Sequence, residues 1–262
     1  MESLEAELDQ ARALAVSDLA DAIAEIGFDC TRCGACCKAE TCGSTPDDDA
    51  DTEPHTATVF PDEIRRLQDT GDQEYDFRDV ARPMPYGLED GPEGQTGETF
   101  EWALQTDGCG DCTFYEEREA SETSHEDGDS EARSASNHSS GQRPREEAVG
   151  DDGTGTCTAH DDRPLICRTY PFSVALGGTS QPMGEAVDSA GMVRAHECEG
   201  LGRDISRAEA EDLAAALKQR AIREIEEAIA VRENYEPVET GPGEVVVHDS
   251  EGQKRPDGTP LD

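Results

Sequence analysis

Four of the chain's ten cysteines fall in one eight-residue run, Cys30-x2-Cys33-x2-Cys36-Cys37. Thiols at that density bind metal, form disulfides or exchange electrons, and any fold of this chain has to accommodate one of the three. Two thiolates at C-x2-C spacing reach a single ion at a Zn–S distance of about 2.3 Å, and four complete a closed tetrahedral site. Adjacent Cys36 and Cys37 do not readily ligate one tetrahedral ion from regular backbone, so they point to two sites or to one residue bridging a cluster. A thioredoxin-like reading of Cys33-Gly-Ala-Cys36 lacks the preceding βαβ pattern, and the radical-SAM spacing C-x3-C-x2-C is absent.

Composition narrows the choice. Only 34% of the 262 residues are hydrophobic and 5% aromatic, too few for a core of ordinary density across the whole chain. Metal cross-links make up such a deficit, structural zinc supplying on the order of 10–16 kcal/mol in small domains. The charge balance is −39, from 61 acids and 22 bases, and only Lys38, Lys218 and Lys254 among the bases are lysines. Acids occur in helical and loop segments alike, as in a protein from a high-salt cytoplasm, where the Debye length falls to roughly 3 Å and self-repulsion is screened. A largely disordered acidic chain is the rival reading, and the ordered cysteine motifs oppose it. Nonspecific nucleic-acid binding requires clustered Lys and Arg and is not expected. The sequence has no 18-residue apolar run and no basic, then apolar, leader at its start, so neither a membrane span nor a secretion signal is expected and the reading is cytoplasmic. In a reducing cytosol, cysteine clusters mean metal or catalysis more often than disulfides.

Periodicity predicts a helix over residues 2–26, with Leu4, Leu8, Ala11, Leu19, Ile23 and Ile26 on one face and Gly27 as its stop. A short strand is expected at Thr56 to Phe60, then a helix opening at Pro61 and ending at Gly71. Residues 87–98 read as loop, and Phe100, Trp102 and Leu104 alternate as a strand. Between 116 and 152 the only large apolar residue is Val149, which predicts a disordered insertion. A second long helix spans 206–234, with Ser206 and Glu209 as a capping box. Residues 236–262 read as a flexible tail in which Val245 to Val247 could add one strand. The expected fold is therefore α+β: a small, irregular, cysteine-rich, metal-stapled domain (28–202) framed by two long terminal helices (1–27 and 203–235).

The other cysteines extend the pattern. Cys109-x2-Cys112 precedes Cys157-x9-Cys167, set in Arg163-Pro164-x2-Cys167-Arg168-x-Tyr170-Pro171-Phe172, and Cys198-x-Gly200 closes the series. Taken with Phe28-Asp-Cys30-x2-Cys33-Gly34-Ala-Cys36-Cys37, these motifs resemble the YkgJ-type cysteine-cluster family, the CxxCxxCC zinc- or iron-chelating domain, in an acidic haloarchaeal-like form. The resemblance covers roughly residues 28–202. It implies eight metal ligands, Cys30, Cys33, Cys36, Cys37, Cys112, Cys157, Cys167 and Cys198, holding zinc or an iron–sulfur cluster. Some relatives are labelled iron–sulfur oxidoreductases and others flagellin lysine N-methylases, which makes an iron–sulfur oxidoreductase or a protein-lysine methyl-transfer enzyme the alternative function. The sequence shows neither a GxGxxG nucleotide loop nor a recognisable general base. Cys42 and Cys109 lie outside the family pattern. His160 stands where relatives carry an aromatic residue, so it is either an extra ligand or a tolerated exchange.

Acidic residues are missing where the motifs lie. Residues 30–39 contain none, nor do residues 163–184, where composition alone would place about five. A four-thiolate site is anionic, so nearby carboxylates are costly, and Arg32, Lys38, Arg163 and Arg168 are placed to offset it. Burial alone would also thin out the acids, but would not retain four bases. His55, His125, His138, His196 and His248 read as solvated, Trp102 as core, and Tyr170, Pro171 and Phe172 as packing beside the site.

Overall fold

A computed structural model of the chain describes residues 3–39, 54–70, 74–117, 155–176, 185–186 and 191–261. The helices are α1 (Leu4–Ala13), α2 (Val16–Ile26), α3 (Pro61–Gln68), α4 (Phe77–Val80), α5 (Leu165–Thr169) and α6 (Arg207–Asn234). The strands are β1 (Thr58–Val59), β2 (Ala81–Pro83), β3 (Leu88–Gly91), β4 (Gly94–Phe100), β5 (Trp102–Leu104), β6 (Tyr115–Glu117), β7 (Gly155–Cys157), β8 (Phe172–Val174), β9 (Glu185–Ala186), β10 (Val193–Ala195), β11 (Val245–Asp249) and β12 (Gly252–Lys254). They form four small sheets, ordered β1-β5-β2, β8-β10-β9, β12-β11-β4-β3 and β6-β7. The class is α+β, as expected.

The framing differs from the sequence reading. The N-terminal helix is two helices, because Leu14 and Ala15 are extended. The break exposes the Leu14 carbonyl, which accepts from Lys218 Nζ at 2.7 Å, and lets α1 and α2 each settle along α6. Leu8 and Ala11 from α1, with Leu19, Ala22 and Ile23 from α2, pack on Ala210, Ala214, Leu217, Ala221 and Ile225 of α6. The small side chains of Ala210, Ala214 and Ala221 on one face of α6 allow close helix approach, and full burial of a leucine or isoleucine contributes about 1.5–3 kcal/mol. The second helix runs as expected: the Ser206 side chain accepts from Glu209 N and the Glu209 carboxylate from Ser206 N. Phe172, Val174, Val193 and Ala195 from β8 and β10 complete this first core.

A second core gathers Val59, Ile64, Leu67, Val80, Trp102, Leu104, Phe114 and Val247. Trp102 is fully buried and donates its indole N–H to Asp249 at 2.8 Å. Lys254 meets the same carboxylate at 2.8 Å, so the buried charge is paired. These contacts correct the expectation of a flexible tail over residues 236–262. Strand β11 inserts beside β4 in parallel register, Val247 opposite Thr99, and carries β12 as an antiparallel hairpin. The segment 87–98, expected as loop, is the β3–β4 hairpin turning at Gly91-Pro92-Glu93-Gly94. Its strands are mostly exposed, so no alternation of apolar residues marks them. The expected strand from Phe100 to Leu104 is interrupted at Glu101, whose φ of 66° ends β4 and starts β5.

The predicted insertion lies almost wholly outside the described residues, while its first two positions, Glu116 and Glu117, belong to β6. Strands β6 and β7 pair antiparallel, with Glu117 opposite Gly155. Partners in such a ladder have Cα atoms about 4.5–5.5 Å apart, so a short linker closes the gap. Replacing residues 118–154 with a short Gly/Ser linker is expected to leave metal content unchanged, measured by elemental analysis of the purified variant. Loss of half the metal or more would show that the segment belongs to the site.

Candidate metal centre

The cluster begins where α2 ends. Gly27 and Phe28 are tied to the segment that follows Cys198: Gly202 N donates to Gly27 O and Asp29 N to Gly200 O, both at 3.0 Å, and Phe28 bridges to Leu201. These bonds bring the start of the CxxCxxCC run beside Cys198. Gly200 is required there, since a Cβ at its position would lie 2.5 Å from the Asp29 carbonyl oxygen. Its own N–H points at Cys198 Sγ, 3.4 Å away. The Tyr170 hydroxyl donates to the Glu197 carbonyl at 3.0 Å and holds the same strand from the other side.

Gly34, with φ of 77°, reverses the chain into a 3₁₀ turn over Ala35–Cys37. A side chain at Gly34 would overlap the Tyr115 ring. The turn places the sulfurs of Cys36 and Cys37 3.8 Å apart. The backbone here is a tight turn and not the regular backbone from which adjacent cysteines would point to two sites or to one residue bridging a cluster. The spacing is close to the sulfur–sulfur edge of a tetrahedron with metal–sulfur bonds of about 2.3 Å.

Cys37 then pairs with the next motif, its carbonyl accepting from Cys112 N at 2.8 Å. Cys157 ends β7 opposite Tyr115 in β6, and Cys167 lies in α5. The buried carboxylate of Glu63 fixes the first turn of α5 by accepting from Leu165 N at 2.9 Å. Cys37, Cys112, Cys157 and Cys167 all pack into the second core.

Electrostatics divide the sulfurs into two adjoining groups. Loss of solvent pushes Cys112 up to about 11, and the sulfurs of Cys157 and Cys36 add to the shift. Cys167 is raised strongly by the same desolvation, then by Cys112, Cys36 and Cys157. The sulfurs of Cys36 and Cys37 share a hydrogen bond, which raises Cys37 and holds Cys36 down at about 7. Cys198 is raised by desolvation and then by Cys33, Cys30 and Cys36. One group is therefore Cys37, Cys112, Cys157 and Cys167; the other is Cys30, Cys33 and Cys198; Cys36 acts on both. Tyr170 lies against the second group, pushed up to about 12 by burial and by Cys198, Cys36 and Cys33.

All eight expected ligands are free thiols, whereas Cys109 is disulfide-bonded and so leaves the pool of ligands. The sequence reading placed Cys109 outside the family pattern and did not foresee its disulfide. Cys42 lies outside the described residues. As the side chains stand, no three Cys, His, Asp or Glu groups among the described residues are close enough together to hold an ion. The donor chemistry nevertheless fits a thiophilic metal. The thiols are unpaired, two sulfurs already have ligand spacing, and the buried hydroxyl of Thr31, between Cys30 and Cys33, has no partner among the described residues.

The bases sort differently from the sequence reading. Arg163 donates from Nε to the His160 carbonyl at 2.9 Å, and its charge favours the thiolates of Cys36, Cys157 and Cys167. Lys38 instead pairs with Glu117 at 2.6 Å and stands 5.0 Å over the Tyr115 ring. Arg168, on the exposed side of α5, lines a separate cavity against α6. The His160 ring sits beside Asp161, at 3.5 Å. His248, expected to be solvated, is buried with Nε2 3.1 Å from Glu98, and burial depresses His55; His196 is exposed, and His125 and His138 fall outside the described residues. The contributions of Tyr170 and Tyr115 to positioning carried no signal in the sequence beyond proximity to cysteines.

Among the described residues no helix is long and apolar enough to cross a membrane. Compared with protein-family models, curated proteins and solved structures, the chain matched none.

Proposed function

We propose that this chain is a cysteine-ligated metal-binding protein that holds zinc or an iron–sulfur cluster through Cys30, Cys33, Cys36, Cys37, Cys112, Cys157, Cys167 and Cys198. The observation that supports the reading is that all eight are free thiols, four of which (Cys37, Cys112, Cys157 and Cys167) come from separate stretches of sequence to pack in one core. Their order along the chain, which resembles the YkgJ-type family, points the same way. Eight thiolates suit two four-thiolate sites, or one cluster and one zinc. Cys36, which acts on both groups, is the residue able to serve either. The bound metal would supply the positive charge that lets neighbouring thiolates ionise together. The protein would contribute the Gly200 N–H to Cys198 and the Arg163 charge to the other group.

Elemental analysis and absorbance of anaerobically purified protein test this. A brown protein absorbing near about 400 nm with bound iron identifies an iron–sulfur centre; a colourless protein with stoichiometric zinc identifies structural zinc. Protein purified without either metal, and unable to take one up, overturns the reading.

A further prediction follows from the division of the arginines. Groups that support metal ligands without touching the metal typically contribute 10- to 100-fold in affinity. Arg163→Gln is therefore expected to lose metal to a competing chelator about 10- to 100-fold more readily, while Arg168→Gln retains it like the parent. Equal retention by all three proteins would show that the acid-free stretch reflects burial alone.

A further inference from the structure

A cavity of about 390 Å³ opens between α3, α5 and the middle of α6, away from the thiols. Its size is that of a small-molecule site, and Phe60, Leu165 and Ile222 supply its apolar lining. The charge of its wall runs against the rest of the chain. Acids outnumber bases 61 to 22 overall, yet Arg66, Arg168, Lys218 and Arg223 face three carboxylates here.

Each carboxylate is already engaged. Asp62 accepts from Arg223 at 2.7 Å, Glu226 from Arg12 at 2.9 Å, and Glu63 from the backbone N–H groups of Phe60 and Leu165. Two cations are left over. Among the described residues, Lys218 donates to the Leu14 carbonyl but meets no carboxylate, and Arg168 has no side-chain partner.

We propose that this cavity is a binding site for a small oxyanion, a phosphate or carboxylate group held by Arg168 and Lys218 and seated on the apolar floor. The planar guanidinium fork of Arg168 matches two oxygens of such a group, and the Lys218 ammonium adds a compact charge. The site is independent of the metal reading, although Arg168 directly follows Cys167 in α5.

Titration calorimetry with inorganic phosphate and, separately, with citrate, at fixed molar potassium chloride, tests the proposal on the full chain. One saturable site for either anion is expected, phosphate binding alone marking a phosphate-bearing ligand and citrate binding alone a carboxylate. Arg168→Gln should weaken binding at least about tenfold, the scale of a lost charge-assisted hydrogen bond. Because Arg168 is exposed and unpartnered, this variant should fold and hold metal like the parent. Arg65→Gln, outside the cavity lining and paired with Glu251, should bind as the parent does. Absence of saturable binding, or equal weakening in both variants, would overturn the proposal, and metal content measured on the same samples keeps that outcome separate from failure of the metal reading.

Discussion

A strong chelator applied at molar salt is expected to abolish the cooperative thermal transition of this protein. The reasoning starts from the apolar inventory. Two modest cores share a chain that is 34% hydrophobic, and one of them contains Cys37, Cys112, Cys157 and Cys167 within its packing. The elements that feed the second core are short, with little ladder hydrogen bonding: the two-residue β1, the three-residue β6 and β7, and the five-residue α5. Ordering each such residue costs roughly 1–2 kcal/mol of backbone entropy, which short elements recover poorly. A whole domain is stable by about 5–15 kcal/mol, and one structural zinc supplies about 10–16 kcal/mol. If the thiols hold such an ion, removing even one would take away as much as the native state holds in reserve. Scanning calorimetry before and after chelation, with metal loss verified by elemental analysis, decides the matter. The expected trace after chelation is flat; an unchanged melt would eliminate a structural role for the metal while leaving a redox role possible.

The sequence was most legible where one physical cause acted alone. The Ser206–Glu209 capping box and the Pro61 helix start appear in place because caps satisfy local backbone donors that no distant contact can supply. Trp102 as core was legible for a similar reason, its size leaving few other places for it. Residues whose role depends on a distant neighbour were not legible. Val245 to Val247 was readable as one added strand and is part of β11, but its place was not, because its partner β4 lies far back in the chain and is itself mostly polar. The break at Leu14–Ala15 is invisible in a periodic pattern that remains apolar across it; only the position of α6 and of Lys218 explains it. In the candidate centre, the identity of eight thiols was readable from spacing and resemblance, but their division was not. Which arginine faces sulfur depends on the direction each takes from α5 and the turn before it, and Arg163 and Arg168 take different ones.

Transfer from molar to low-millimolar salt is expected to expand or unfold the protein. Twenty-two bases cannot neutralise 61 acids, and the structure has already used its bases well. Arg12 meets Glu226, Arg65 meets Glu251, Arg232 meets Glu5, and Arg207 meets both Asp21 and Glu211. With 61 acids against 22 bases, many carboxylates must still be left without a cationic partner. Repulsion also reaches inside the fold: burial, followed by the charges of Glu224 and Glu227, pushes Glu101 up to about 7. At about 1 M salt charges more than roughly 3 Å apart are screened, whereas at 0.01 M the range grows to about 30 Å, which spans a small domain. Exposed ion pairs, worth about 0–1 kcal/mol each, cannot offset a field on that scale. Unfolding would also separate the four segments that carry the thiols, so metal release should accompany expansion. Small-angle scattering and metal content measured along one salt series test both parts. Parallel loss of compactness and metal is the expected course. A compact, fully loaded protein at low-millimolar salt would show that the acidic surface is tolerated without screening and that high salt is no condition of this fold.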